Sequence, residues 1–202
     1  MVRRSREEPC RVQTAGLRVE KGSVVRFLKK LFILVVVLLL IAVGASFLLP
    51  PRYHVERSVT VNARPEALHA LVADLRRWEE WTAWNKEMDP TLQRTFSGAE
   101  KGAGAQMTWK GEKSGQGLFT ISSADPAKGI SYDLDFENGK YKSTGAIRFE
   151  AGDGATRVIW TNEGDAGANP VKRYFNLLMD KMMGPDFQKG LDRLKALAEG
   201  GK

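Results

Sequence analysis

The feature that most constrains this chain is a series of short alternating segments between residues 92 and 162, each cut off by turn residues. Ile130, Tyr132, Leu134 and Phe136 alternate with Ser131, Asp133, Asp135 and Glu137. A period of two places the apolar set on one face of a strand. Asn138-Gly139 follows and is the strongest hairpin signal in the chain. The pattern repeats on both sides. Leu92–Phe96 reads as a strand. Ala105–Lys110 carries Met107 and Trp109 on one face, and Leu118–Ala124 carries Phe119 and Ile121. Tyr141–Glu150 carries Tyr141, Ile147 and Phe149, and Thr156–Asn162 carries Val158 and Trp160. Gly102 and Gly104, Gly111 to Gly117, Asp125 to Gly129 and Asp153-Gly154 are turns by composition. No helix follows Gly102-x-Gly104 or Gly115-x-Gly117, so these are hairpin turns rather than phosphate loops.

Helical segments flank the meander. Tyr53 to Val61 is a further half-buried strand, with Val55, Val59 and Val61 on one face. A helix then opens, with Asn62 expected as its cap, Pro65 in its first turn and Glu66 favourable to the dipole. Its stripe is Leu68, Leu71, Val72 and Leu75, and Trp78, Trp81 and Trp84 follow as core and rim. Near the end, Val171, Phe175, Leu178 and Met182 make one helical stripe. Phe187, Leu191, Leu194 and Ala198 make a second, with Gly184-Pro185-Asp186 interrupting between them. Asn169 reads as a cap and Arg173 as a surface residue. An antiparallel meander with one apolar face must bury that face, and the terminal helical region is the one large element left to cover it. The expectation is an α+β helix-grip fold, a curved antiparallel sheet wrapped on a long C-terminal helix, with an apolar space between them.

Residues 31–49 hold no charge and read LFILVVVLLLIAVGASFLL, nineteen residues that nearly match a hydrocarbon core of about 30 Å. Residues 1–30 hold nine Lys or Arg against three Glu, while residues 31–202 hold 22 basic and 21 acidic side chains. The basic excess is therefore a leader. A near-neutral body has no electrostatic footprint for nucleic acid. The reading is a cytosolic tail over 1–30, a transmembrane signal-anchor over Leu31–Leu49, and a domain over 52–202 on the far side of the membrane, periplasmic or extracellular. A cleaved signal with Val43-Gly44-Ala45 as its site is the rival. It must explain why Phe47-Leu48-Leu49 continue the apolar run. Translation starting near Val24 would remove most of the tail. Cys10 is the one cysteine, which excludes an intrachain disulfide, and no Cys/His metal site is expected in the body.

Three stretches carry a resemblance: YHVERSVTVNARPEALHALVADLRRWEEWTAW, GAGAQMTWKGEKSGQG, and GDGATRVIWTNEG with NPVKRYFNLLMDKMMGPDFQKGLDRLKALAE. On these the body, from about Tyr53 to Glu199, resembles the SRPBCC superfamily (START/Bet v 1-like), and within it the bacterial polyketide cyclase/dehydrase-type group with an N-terminal anchor. That likeness implies a helix-grip fold and an apolar ligand. It carries over no catalytic motif, no cofactor and no metal.

Among single residues, Asp133 and Asp135 are expected to face water, as is Glu163 beside Asn162. His54 lies on a polar strand face, and His69 lies off its helix stripe. The stronger candidates form a cavity set: Trp109, Phe119, Tyr132, Phe136 and Trp160 on the sheet, with Phe175, Met179 and Met183 on the terminal helix. These residues serve equally well as a closed core. As a lined pocket they suit an apolar or lipid-like molecule, because pockets are mostly apolar and methionine adapts to varied shapes. The leading function is a membrane-tethered binding module. A cyclase or dehydratase using the same cavity is the alternative, and a chaperone-ATPase-activator-like interaction domain is a lesser one.

Overall fold

The computed structural model describes residues 21–200; the tail before Lys21 and the final two residues lie outside them. The chain divides into two compact units between Gly44 and Ala45. The first contains most of α1, Lys21–Ser46, a helix whose Val24–Ser46 stretch is apolar enough and long enough to cross a membrane. The helix starts before the expected Leu31–Leu49 stretch and ends short of it, because Phe47, Leu48 and Leu49 form a turn rather than a last helical turn.

The second unit runs from the turn at 47–51 through β1 (Arg52–Val61), α2 (Pro65–Val72), a 3-10 turn (Leu75–Arg77) and α3 (Trp78–Trp81). Six strands follow: β2 (Gln93–Gly98), β3 (Ala105–Gly111), β4 (Gly115–Asp125), β5 (Gly129–Phe136), β6 (Tyr141–Ala151) and β7 (Thr156–Asp165). The last element is α4, Pro170–Ala198. The strands make one antiparallel sheet in the order β1-β7-β6-β5-β4-β3-β2. The first strand thus pairs with the last, and α2 and α3 carry the chain across to the other edge. A bulge between Ile121 and Ser123 breaks the β4–β5 register, the kind of irregularity that bends a strand.

The strand faces follow the alternation. Val55, Val61, Phe119, Ile121, Ile130, Tyr132, Ile147, Val158 and Trp160 are buried on the inner face. Three inward aromatic rings each lie across a glycine that is their direct cross-strand partner: Tyr132 on Gly145, Tyr53 on Gly164 and Trp109 on Gly117. A Cβ at any of these glycines would run into the ring. The missing side chain lets the ring lie flat along the sheet, where it covers a backbone that would otherwise be bare.

The helices depart from expectation in three places. Asn62 does not cap α2; the residue before Pro65 is Arg64 with no side-chain cap, and the Asn62 N–H donates to the Glu199 carboxylate at 2.7 Å. Gly184-Pro185-Asp186 does not interrupt α4, which is one helix of 29 residues. Proline forfeits one backbone bond, and the packing of Phe187, Leu191 and Leu194, all buried, holds the helix beyond it. Buried Gly184 also leaves room for the Arg57 guanidinium, which pairs with Asp180 at 2.8 Å and fastens α4 to β1. Finally, the stripe of Val171, Phe175, Leu178 and Met182 is exposed, so only the second half of α4 is a core helix. Asn169 caps α4 as expected, accepting from the Lys172 N–H at 3.1 Å. Arg173 is no plain surface residue; it donates to the carbonyls of Gly167, Phe47 and Leu49 at 2.9–3.3 Å.

Asp89 ties the tryptophan segment to the β3–β4 hairpin. One carboxylate oxygen accepts from the Thr91 N–H and hydroxyl, and the other from the Lys113 N–H, the Ser114 N–H and the Ser114 hydroxyl, all within 2.6–3.0 Å. The Thr91 bond, against the opposing effect of desolvation and with help from Ser114 and Lys113, holds this carboxyl well below the usual carboxylate range. Asp89→Asn should lower the midpoint of chemical denaturation, since it weakens the five bonds that the carboxylate accepts. A depressed folded-state pKa stabilises above the unfolded value of about 3.9 and is lost as pH falls below it. The variant should therefore lose less of its melting temperature than the parent on acidification. Gly145→Ala should cost about 1–3 kcal/mol by overpacking against Tyr132 and the Thr161 carbonyl. Gly152→Ala, where the added methyl meets an atom only at 3.6 Å, should be close to neutral in the same measurement.

Candidate functional site

The inner face of the sheet and the first half of α4 enclose a cavity of about 700 Å³. Its floor is Tyr132, Trp160, Phe119, Met107 and Trp109 on the central strands, and Trp78 and Trp84 close one end. Phe175, Met179, Met182, Met183 and Phe187 form the roof. All eight residues expected from the sequence, Trp109, Phe119, Tyr132, Phe136, Trp160, Phe175, Met179 and Met183, lie on this wall. Trp81 does not. It is fully buried behind the wall, and its indole N–H finds no acceptor.

The aromatic packing explains why the wall is rigid on the sheet side. Trp160 stacks on Phe187 at 4.2 Å between centroids, and Trp78 meets Phe119 edge-on at 4.5 Å. Phe119 stacks on Tyr132 at 4.5 Å. Contacts of this kind add to the burial of the rings. Gly190 on α4 faces Trp160, where a Cβ would sit 3.0 Å from the indole ring, a tight contact. The roof is different in kind, since methionine side chains have three rotatable bonds and repack readily.

A set of neutral polar groups interrupts the apolar floor. The Tyr132 hydroxyl donates to the Thr161 carbonyl at 2.9 Å and accepts from the Trp160 indole N–H at 3.0 Å. The Asn162 amide nitrogen donates to the Ser143 hydroxyl at 3.2 Å, and its carbonyl oxygen accepts from the Tyr53 hydroxyl at 2.8 Å. Asn162 is buried to 1% exposure and Tyr132 to 3%. Burial pushes both tyrosines above their ordinary pKa. At neutral pH both are therefore phenols that donate hydrogen bonds and cannot act as bases.

The charged groups on the wall are sorted by their partners. Arg94 is almost wholly buried; it pairs with Glu79 at 3.1 Å and donates to the Trp84 carbonyl. Burial lowers the Arg94 pKa and Glu79 raises it. Asp165 is held by Arg52 at 3.2 Å and by the Gly167 N–H at 2.7 Å. Asp186, next to Pro185, lines the cavity, and desolvation pushes its carboxyl up against a smaller opposing pull from Lys189. Lys142 and Lys172 stand on the wall as well, with Lys172 donating to the Lys140 carbonyl at 2.7 Å.

Several of these residues escaped the sequence reading although the signal was present. Tyr53 shares the parity of Val55, Val59 and Val61, and Asn162 shares that of Val158 and Trp160, so strand alternation alone aims both inward. Trp78 and Trp84, read as core and rim, reach the cavity because α3 is a single short turn. Glu163 faces outward, where it hydrogen-bonds the His54 ring at 2.8 Å. Asp133 and Asp135 also lie outside this cavity, along a shallow groove on the outer sheet face. Among the described residues no group of His, Cys, Asp or Glu is placed to hold a metal ion.

Comparison with known structures places the body in a large fold group. The KanY protein aligns with a TM-score of 0.54 and 19% identity, over 74% of this chain and 99% of its own. TTHA0849 from Thermus thermophilus aligns at 0.54 and 16%, over 73% and 97%. Ara h 8.0201 aligns at 0.51 and 15%, over 74% and 99%. At these identities the likeness shows the fold, which is the SRPBCC helix-grip, as the sequence resemblance implied. Comparison with curated proteins returns no match. Residues 52–199 match the family model described as polyketide cyclase/dehydrase and lipid transport, and the chain belongs to that family.

Proposed function

We propose that this protein is a membrane-tethered binding module for an apolar or lipid-like small molecule, held between the sheet and the first half of α4. The observation that carries the reading is the cavity: about 700 Å³, lined mainly by aromatic residues and methionines, with one internally satisfied set of neutral polar groups and a few charged side chains. That volume lies within the range of small-molecule pockets, and the few polar groups in an apolar wall are what such pockets use to orient a ligand. Ser143 and the Tyr53–Asn162 pair are the groups that would hold a ligand's polar end. The tether is the Val24–Ser46 stretch, with the basic leader keeping the N-terminus cytosolic and the binding domain on the other side.

A second reading, an enzyme of the cyclase or dehydratase type, is favoured by Asp186. It is the cavity carboxylate without an ion-pair partner among the described residues, and its pKa is raised. A carboxyl tuned upward by burial can deliver or take a proton from a bound ligand.

Replacing Met183 by Trp tests the binding site. Uptake of the apolar fluorophore anilinonaphthalene sulfonate by the detergent-solubilised protein should be lost, with less than about 1 kcal/mol change in stability. If the space closes in solution, the same change should overpack it by about 1–3 kcal/mol, and the parent should take up no fluorophore. Asp186→Asn separates the two functions. A binder should keep its fluorophore affinity and release any co-purifying molecule unchanged in both forms. An enzyme should lose turnover in the variant while its binding stays within a few-fold.

A further inference from the structure

The first three turns of α4 expose an apolar surface that a globular body does not ordinarily show. Val171, Tyr174, Phe175, Leu178 and Met182 fall at i, i+3, i+4, i+7 and i+11, a single helical stripe. Each is exposed, from 40% for Tyr174 to 69% for Val171. Leu177 extends the surface on the same turns, and Lys181 is the charged side chain among them. A contiguous patch of this kind marks a binding surface, whereas isolated exposed leucines would not.

Two further observations say what covers it. The turn at 47–51 is fastened to this same stretch of α4. Arg173 donates to the Phe47 and Leu49 carbonyls, its guanidinium lies over the Phe47 ring at 5.1 Å, and Asn176 donates to the Pro51 carbonyl at 2.7 Å. Phe47 and Leu48 are themselves exposed, Leu48 to 88%. The span-length apolar stretch ends at Ser46, so five residues, at most about 18 Å of chain, separate it from β1. The charges around the patch suit a lipid surface. Lys140 and Lys172 bracket the Tyr141 ring at 5.4 and 5.0 Å, while Asp180, the acid on these turns, is neutralised by Arg57.

We propose that this face of α4, together with Phe47 and Leu48, docks into the interface of the bilayer that holds the tether, and that the cavity opens onto it. Phe175 and Met182 belong both to the exposed stripe and to the cavity roof, so the docked face and the cavity mouth share an edge. The ligand is then a lipid resident in that bilayer, entering past Phe175 and Met182 without crossing water. This rests on the binding reading above and adds the source and route of its ligand.

The test uses the full-length chain carrying Cys10→Ser, reconstituted in phosphatidylcholine vesicles with a minority of phosphatidylglycerol. One nitrobenzoxadiazole label is attached at Leu178→Cys or, as control, at Lys128→Cys on the exposed β4–β5 turn. Docking predicts that the label at 178 emits to the blue of the label at 128. It should be quenched by doxyl-labelled lipid and several-fold less by aqueous iodide. Equal iodide quenching at both sites overturns the proposal. So does a blue-shifted label at 178 that ignores doxyl lipid and follows the protein-to-lipid ratio, because a second copy would then cover the face. Leu178→Glu, an exposed substitution, should slow loading of a dansyl-labelled lipid from vesicles by about tenfold, with unchanged fluorophore affinity in detergent. Loss of affinity in detergent would indict the cavity reading instead, and an unchanged loading rate would overturn the docking.

Discussion

One helix cannot cover a seven-stranded sheet, and the rest of the structure follows from that mismatch. Seven strands at about 4.8 Å spacing make a surface about 29 Å across, whereas a helix with its side chains is about 10–12 Å wide. The sequence supplies one long helix after the meander, so much of the apolar face must be met another way. Curvature helps, through the bulge in β4. The tryptophan segment helps more, since Trp78 and Trp81 bring bulk that two short helices could not otherwise provide. What remains uncovered is the cavity.

The sheet side of that cavity can stay open because its buried neutral polar groups are already paired. A half-satisfied buried network would favour collapse or rearrangement. Here Tyr132, Trp160, Asn162, Ser143 and Tyr53 hydrogen-bond one another and the Thr161 carbonyl across four strands, β1, β5, β6 and β7. The cross-strand glycines are part of the same solution. Gly145 lies between Tyr132 and Asn162 in one row of the sheet, so the tyrosine can reach over it to the strand beyond. Gly164 stands between Tyr53 and Ser143 in the next row. Each glycine gives up its own side chain so that a ring from a neighbouring strand can pave the wall.

Much of this was legible in the sequence, for a physical reason. Strand alternation has a period of two, so a correct strand assignment also decides which side chains point inward. That is why Trp109, Tyr132 and Trp160, on three different strands, meet on one surface. Helix periodicity decides less. It groups Val171, Phe175, Leu178 and Met182 on a stripe but does not say what the stripe faces; all four are exposed, and Phe175 and Met182 also reach the cavity. A proline is a local signal as well. Pro185 reads as a break because the bond it forfeits is local, while the packing that keeps α4 continuous comes from residues far away in sequence. Asp89 was silent for the same reason. Its partners at Lys113 and Ser114 come from a hairpin more than twenty residues on, and nothing in the local pattern announces them.

The two halves of α4 therefore do different work within one continuous helix. Beyond Pro185 the helix is a core element: Phe187 stacks on Trp160, and Leu191 and Leu194 are fully buried. Before it, the helix stands off the sheet, fastened on one side by Arg57, Arg173 and Asn176, with methionines beneath and aliphatic residues outside. The division matches the chemistry each half needs. The rigid half holds the fold and tolerates little change in volume. The fastened half is held through polar bonds at one edge, and its methionines are only partly buried against the core, so they can repack around a guest while the sheet stays as it is. A cavity built this way needs no motion of the sheet to open, and the adaptability of the site resides in Met179, Met182 and Met183.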